Sequence, residues 1–177
     1  MSKRKSISAY TDGDTFEHNG RTLRVRLQQD YNREPWKEYD GHGVVLDWQT
    51  RLSEKEARAR GYWELNSERS SVRYYDARAS LARAIKDGWG PGKSVSAKRR
   101  AVRRDFEHLR GWCTDQWCYV IVSVETEDGE EFESNGGVES NDCQTIELLV
   151  NELAEELCKR LGTVSKPYNL REHNETT

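Results

Sequence analysis

The chain has 177 residues, 34% of them apolar and 33% charged, and a net charge of −3. Leu, Ile, Val and Phe together reach only 18%, just under the roughly 20% that accompanies disorder, but the disorder signature also asks for a high net charge, and that is missing. The longest apolar run, Trp117–Val122, is far short of the roughly 20 residues that cross a bilayer, so a membrane protein is excluded as an expectation.

No apolar stretch follows the basic start Met1–Lys5, so nothing marks export. The four cysteines at 113, 118, 143 and 158 are too loosely spaced for a disulfide scaffold or a zinc site. A cytoplasmic chain with reduced thiols, no metal and no cofactor is expected. Six Trp and eight Tyr compensate for the scarce aliphatics with large area per side chain. The expected organisation is a disordered segment 1–12, a single domain over 13–162 and a polar tail 163–177.

In chain order, Asp14–His18 and Arg21–Gln28 flank Asn19-Gly20, a hairpin signal because both turn residues accept positive φ. Residues 30–52 lack a period and read as an ordered long loop. Ser53–Arg60 reads as a helix with a capping box closed by Glu56. Tyr62–Leu65 and Ser71–Tyr75 read as strands. Asp76 caps a helix to about Asp87, with Ala77, Leu81, Ala82 and Ile85 on one face, and Gly88 stops it. Ser94 or Ser96 opens a second helix whose Val102, Phe106, Leu109 and Cys113 form the buried stripe, ending at Gly111. Trp117–Thr126 is a central strand, returned by a two-residue Asp128-Gly129 turn along Glu130–Val138. Asn141 or Asp142 caps the last helix, which buries Ile146, Leu149, Val150, Leu153, Leu157 and Leu161 and stops at Gly162. This order predicts an α+β fold: a largely antiparallel sheet of two hairpins plus short strands, with about three helices on one face.

Charge is unevenly spread. Residues 1–110 hold 24 Lys/Arg and 16 Asp/Glu, whereas residues 111–177 hold 4 and 15. Three clusters follow. Lys93, Lys98, Arg99, Arg100, Arg103 and Arg104 gather at the start of the second helix, with 99, 100, 103 and 104 on one face; this pattern suits phosphate contacts, with Trp89 beside it as a base-stacking candidate. The interaction loop carries Glu34, Trp36, Lys37, Glu38, Asp40, His42 and Trp48, in which Glu34, Glu38, Asp40 and His42 form a candidate acid–base group. The acidic hairpin carries Glu125, Glu127, Asp128, Glu130, Glu131 and Glu133, which reads as a soluble edge or as a mimic of a phosphate backbone. Gly90-Pro91-Gly92-Lys93-Ser94 is not a phosphate loop, because position 87 is Asp and a helix precedes it.

The segments Glu34–Trp48 (EPWKEYDGHGVVLDW), Asp87–Gly90 (DGWG) and Arg104–Trp117 (RDFEHLRGWCTDQW) resemble a family of small proteins of tailed bacteriophages. The resemblance spans most of 14–160 and carries no catalytic residues. It implies an accessory protein acting in a bacterial cytoplasm, where such proteins often inhibit host enzymes or defence systems. The expected function is non-enzymatic binding of a bacterial macromolecule, either a host protein or nucleic acid. The alternatives are nucleic-acid binding through helix 94–110 and a small enzyme using loop 34–48.

Overall fold

The computed structural model describes residues 10–38, 41–66 and 71–162. The segments expected to be a disordered start and a polar tail lie outside them, except Tyr10–Asp12. These three are placed: Leu27 donates its amide to Asp12 at 2.9 Å, and the Tyr10 ring meets Phe16 at 5.4 Å. The fold is α+β, as the pattern of elements predicts. Among the described residues its strands form three sheets, of four, three and two strands. The contacts divide the chain into two compact units. The first joins Met1–Gln29 to Val120–Thr177, and the second is Asp30–Tyr119.

In the first unit, β1 (Thr15–His18) and β2 (Arg21–Gln29) form the expected hairpin, with Asn19 at φ 49° and Gly20 at φ 74°. Strand β2 pairs antiparallel with β8 (Tyr119–Thr126), which neighbours β9 (Phe132–Glu139) in the sheet order β1-β2-β8-β9. The register sets Val25 against Val124 and Leu27 against Val122. With period-2 alternation, Leu23, Val25, Val122 and Val124 therefore share one face, and all four are wholly buried. Arg24 and Arg26 project on the other face, and Arg24 pairs across the strands with Glu125 at 3.5 Å. The β8–β9 connection is wider than a two-residue turn. Gly129 donates to the Thr126 carbonyl and Thr126 to that of Glu131, and Phe132 is left exposed.

The final helix of the chain, Cys143–Leu161, is capped by Asp142 and packs on β9, β1 and β2 through Ile146, Val150, Leu153, Ala154, Leu157 and Cys158. Leu149 and Leu161, expected in its stripe, are only half-buried. The central position and burial of β8 agree with its apolar sequence.

In the second unit the long loop is punctuated by α1 (Pro35–Glu38) and two short strands, β3 (Val44–Val45) and β4 (Gln49–Thr50). Helix α2 (Glu54–Arg60) has the full Ser53/Glu56 capping box and ends on left-handed Gly61. Strands β5 (Tyr62–Glu64) and β3 flank β7 (Tyr74–Asp76) antiparallel, and β6 (Ser71–Val72) pairs with β4. Asp76 caps α3 (Ala77–Asp87) directly from β7. Its buried residues are Ser80 and Ala84, while Ile85 is 52% exposed, so the face is rotated from the one the apolar residues mark. Ser94 caps α4 (Val95–Cys113), which packs on α3.

Helix α4 runs through Gly111, where its end was expected. A side chain at Gly111 would meet the Trp117 indole at 3.0 Å, so close packing explains this glycine better than helix termination does. The core of this unit is aromatic. Trp63 meets Phe106 edge-on at 5.1 Å, Tyr75 meets Phe106 at 5.8 Å, and Leu65, Val102 and Leu109 fill between them. This is how a chain poor in aliphatics builds a core. The helix α5 is the Cys143–Leu161 element of the first unit.

Candidate functional site

The basic cluster divides by its position around α4. Arg99, Arg100 and Arg104 are exposed, as is Lys93 just before the cap, and none has an ion-pair partner among the described residues. Arg110, which the sequence reading omitted, extends the same exposed face. Arg103 is exposed but pairs with Glu107 at 2.8 Å and lies 5.3 Å over the Trp63 ring.

Lys98 corrects the expectation. It is buried, 6% exposed, and its Nζ donates to the Trp89 carbonyl at 2.7 Å. Its helical angle places it beside Val102 and Leu109, and its ammonium reaches a backbone acceptor in the glycine-rich turn. Trp89 is half-buried and packs against the Phe106 core with Arg83 over its ring at 5.9 Å, so its ring is not an open stacking platform.

The interaction loop is held by two separate knots. In the first, Arg73 lies between Trp36 and Trp48, 4.7 and 4.8 Å from their ring centres, and donates to Glu34 at 3.1 Å. Lys37 stands 2.7 Å from the same carboxylate. Burial pushes Glu34 up, but the Lys37 hydrogen bond and the Arg73 charge outweigh it and hold the carboxyl below its ordinary range. Trp36 in turn meets Trp112 edge-on at 5.1 Å.

In the second knot, His42 Nδ1 bonds Asp105 Oδ1 at 2.6 Å. The other Asp105 oxygen accepts the Gly43 amide and the Tyr75 hydroxyl, both at 2.8 Å. Burial, and then the Asp105 charge, push the Tyr75 phenol far up, so it remains a donor. The His42 ring stacks on His108 at 5.8 Å and 14°, and His108 stacks on Trp117 at 4.4 Å.

The structure therefore brings His42 to Asp105, and not to Glu34, which is committed to Arg73. Glu38 ends α1, and Asp40 lies outside the described residues. Asp105, Tyr75, His108 and Arg73 were missed as site residues. Each is far from His42 or Trp36 in sequence, and the only local signal was the pair of glycines around His42, one of which the packing requires.

The acidic hairpin is largely spoken for. Glu125 pairs with Arg24, and Glu131 and Glu133 pair with Arg160 at 2.6 and 2.9 Å. Asp128 accepts the Thr126 hydroxyl and the Glu130 amide inside the turn. Glu127 and Glu130 have no side-chain ion pair among the described residues. No helix among the described residues is long and apolar enough to cross a membrane. Comparison of the chain with family models, curated proteins and solved structures finds no match.

Proposed function

We propose that this chain is a phage-type accessory protein that binds nucleic acid through the exposed basic face of α4. The phage context comes from the resemblance of the 34–48, 87–90 and 104–117 segments. One observation carries the binding reading: Lys93, Arg99, Arg100, Arg104 and Arg110 are exposed and without a carboxylate partner among the described residues. An exposed cation whose counter-ion is not built into the fold releases solvent ions when it meets a phosphate, which is the main source of non-specific affinity. The acidic hairpin offers less, because four of its six carboxylates already have partners within the chain. A host protein captured by that hairpin is the weaker mode.

The test is fluorescence anisotropy with duplex DNA, single-stranded DNA and RNA over a salt series. Binding is expected to weaken linearly with log salt, with a slope of about −0.9 per duplex phosphate contacted, or about −0.7 on a single strand. The triple change Arg99→Glu, Arg100→Glu and Arg104→Glu is expected to weaken binding at least tenfold and to flatten the slope by roughly three contacts' worth. Absence of binding at low salt, or equal binding by the triple variant, overturns the reading.

A further inference from the structure

Arg100, Arg104 and His108 follow one another at i, i+4 and i+8 on α4, so a single stripe of the helix leads from the unpaired cations to the His42–His108 stack. His42 is built differently from the rest of its loop. Its Nδ1 is committed to the Asp105 carboxylate at 2.6 Å, which fixes that nitrogen as the proton bearer. Its Nε2 is then the lone-pair nitrogen of the neutral ring, and it has no protein partner among the described residues.

The surroundings preorganise it. Gly43 and Tyr75 fill the remaining oxygen of Asp105, so the carboxylate cannot turn away. His108, backed by Trp117, bounds the ring face. The His42 side chain is 16% exposed and that of Asp105 11%, so solvent reaches the site only narrowly. An oriented imidazole with a buried carboxylate behind it is the arrangement of a general base.

A base needs a nucleophile to activate, and the neighbouring side chains offer none. Ser80 Oγ donates to the Asp76 carbonyl at 2.6 Å and accepts from Val44. Burial pushes the Cys113 thiol up to about 12, so it is not a thiolate at neutral pH. The nucleophile is then water or a group of the substrate itself. A ribose chain whose phosphates follow Arg100 and Arg104 carries one, the 2′-hydroxyl.

We infer that His42 is the general base of an RNA-cleaving site, acting on a strand laid along the Arg100–Arg104–His108 stripe. His42 Nε2 takes the proton of a 2′-hydroxyl, the O2′–P bond forms, and the P–O5′ bond breaks. The departing 5′-alkoxide takes a proton from water, and the proton on His42 returns to the hydroxide so formed. The products are a 2′,3′-cyclic phosphate and a 5′-hydroxyl end, with no oxidant or reductant consumed. Asp105 is a positioning residue in this scheme, because it acts through His42. The inference rests on α4 being a nucleic-acid surface.

The test uses the full chain with end-labelled single-stranded RNA, the matching DNA, and a 2′-O-methyl RNA that binds but lacks the hydroxyl, all in EDTA. RNA is expected to be cut to cyclic-phosphate ends, with DNA and 2′-O-methyl RNA intact. His42→Asn keeps an N–H donor for Asp105 and removes Nε2. It is expected to lower the rate roughly a hundredfold or more while anisotropy on the 2′-O-methyl strand is unchanged. His42→Gln is the second variant, and a thermal melt of each shows that it is folded. Asp105→Asn is expected to lower kcat more than it changes KM and to move the acid limb of the pH–rate profile, which a purely structural carboxylate would not do. RNA that is bound but uncut, or cutting that persists in both folded His42 variants, overturns the inference and leaves the binding reading intact. Failure to bind the 2′-O-methyl strand even at low salt overturns the inference, and the same failure with duplex and single-stranded DNA overturns the binding reading as well.

Discussion

At Gly43 the backbone passes so close to Tyr75 that a Cβ would collide with the phenol oxygen and with Ser80 Oγ. The same phenol donates to Asp105, so one side chain both excludes a residue at 43 and completes the carboxylate that holds His42. Gly43→Ala is expected to cost about 1–3 kcal/mol by overpacking, and Tyr75→Phe about 1–3 kcal/mol by leaving Asp105 short of a donor. The two sites share an atom, so their effects should not add. Gly43→Ala should cost less in the Tyr75→Phe background, where the oxygen is gone. Denaturant unfolding of the two single variants and the double variant measures this coupling, and strict additivity would place the strain elsewhere. Lys98 teaches a related lesson about legibility. In the sequence it is one of six cations in a run, and only its angle around α4 and the carbonyl of Trp89 distinguish it from its exposed neighbours.

Among the elements, the legible ones were those whose signal is local. The Asn19-Gly20 hairpin, the Ser53/Glu56 capping box, the Asp76 cap and the α5 stripe need only residues a few positions apart. The misread features were decided by partners distant in sequence. The buried face of α3 centres on Ser80 and Ala84 because Ser80 must bond Val44 and Asp76, whatever the apolar pattern of Ile85 suggests. His42 and Asp105 are 63 residues apart, and no spacing rule joins them.

The α5 cap offers a prediction at this scale. Asp142 accepts the Thr145 hydroxyl at 2.7 Å and its amide at 3.1 Å, the hydroxyl contributing first to a carboxyl held below its ordinary value. A carboxyl lowered on folding stabilises above its unfolded pKa and loses that contribution as pH falls through its folded one. Asp142→Ala is therefore expected to cost about 1 kcal/mol at pH 7, and the gap to the parent chain should close as the medium is acidified below the ordinary 3.8. Thermal melts of both chains from pH 7 downward check the sign, and a gap that widens in acid would exclude the cap as its source.

For the whole molecule, the charge boundary near residue 110 is not the boundary of the fold. The Asp30–Tyr119 unit carries 18 Lys/Arg against 14 Asp/Glu, and the other unit 10 against 17. All six tryptophans, at 36, 48, 63, 89, 112 and 117, belong to Asp30–Tyr119. Indole fluorescence therefore reports that unit directly, while far-UV circular dichroism reports helices and strands of both. Leu153→Ala empties a buried site of α5 and is expected to cost about 2–5 kcal/mol. It should lower the dichroism melting transition while leaving the native tryptophan emission maximum in place. A shifted native emission maximum would show that the substitution disturbs the tryptophan-bearing unit as well.

Because the first unit is built from two pieces of chain with 90 residues between them, its assembly has an order in time. The β1–β2 hairpin leaves the ribosome with neither β8 nor α5 made, and its apolar row of Leu23, Val25 and Leu27 is bare. At roughly 5–20 residues per second, the wait for Val120 alone lasts on the order of ten seconds, and the chain of Asp30–Tyr119 is complete before that of α5 is made. Arg24 and Arg26, interleaved with that row, act as gatekeepers, disfavouring association of the waiting strand with other nascent chains. The pairing with Glu125 comes later, when β8 arrives. In the finished protein these arginines contribute an ordinary surface contact; during synthesis they keep a half-made sheet soluble.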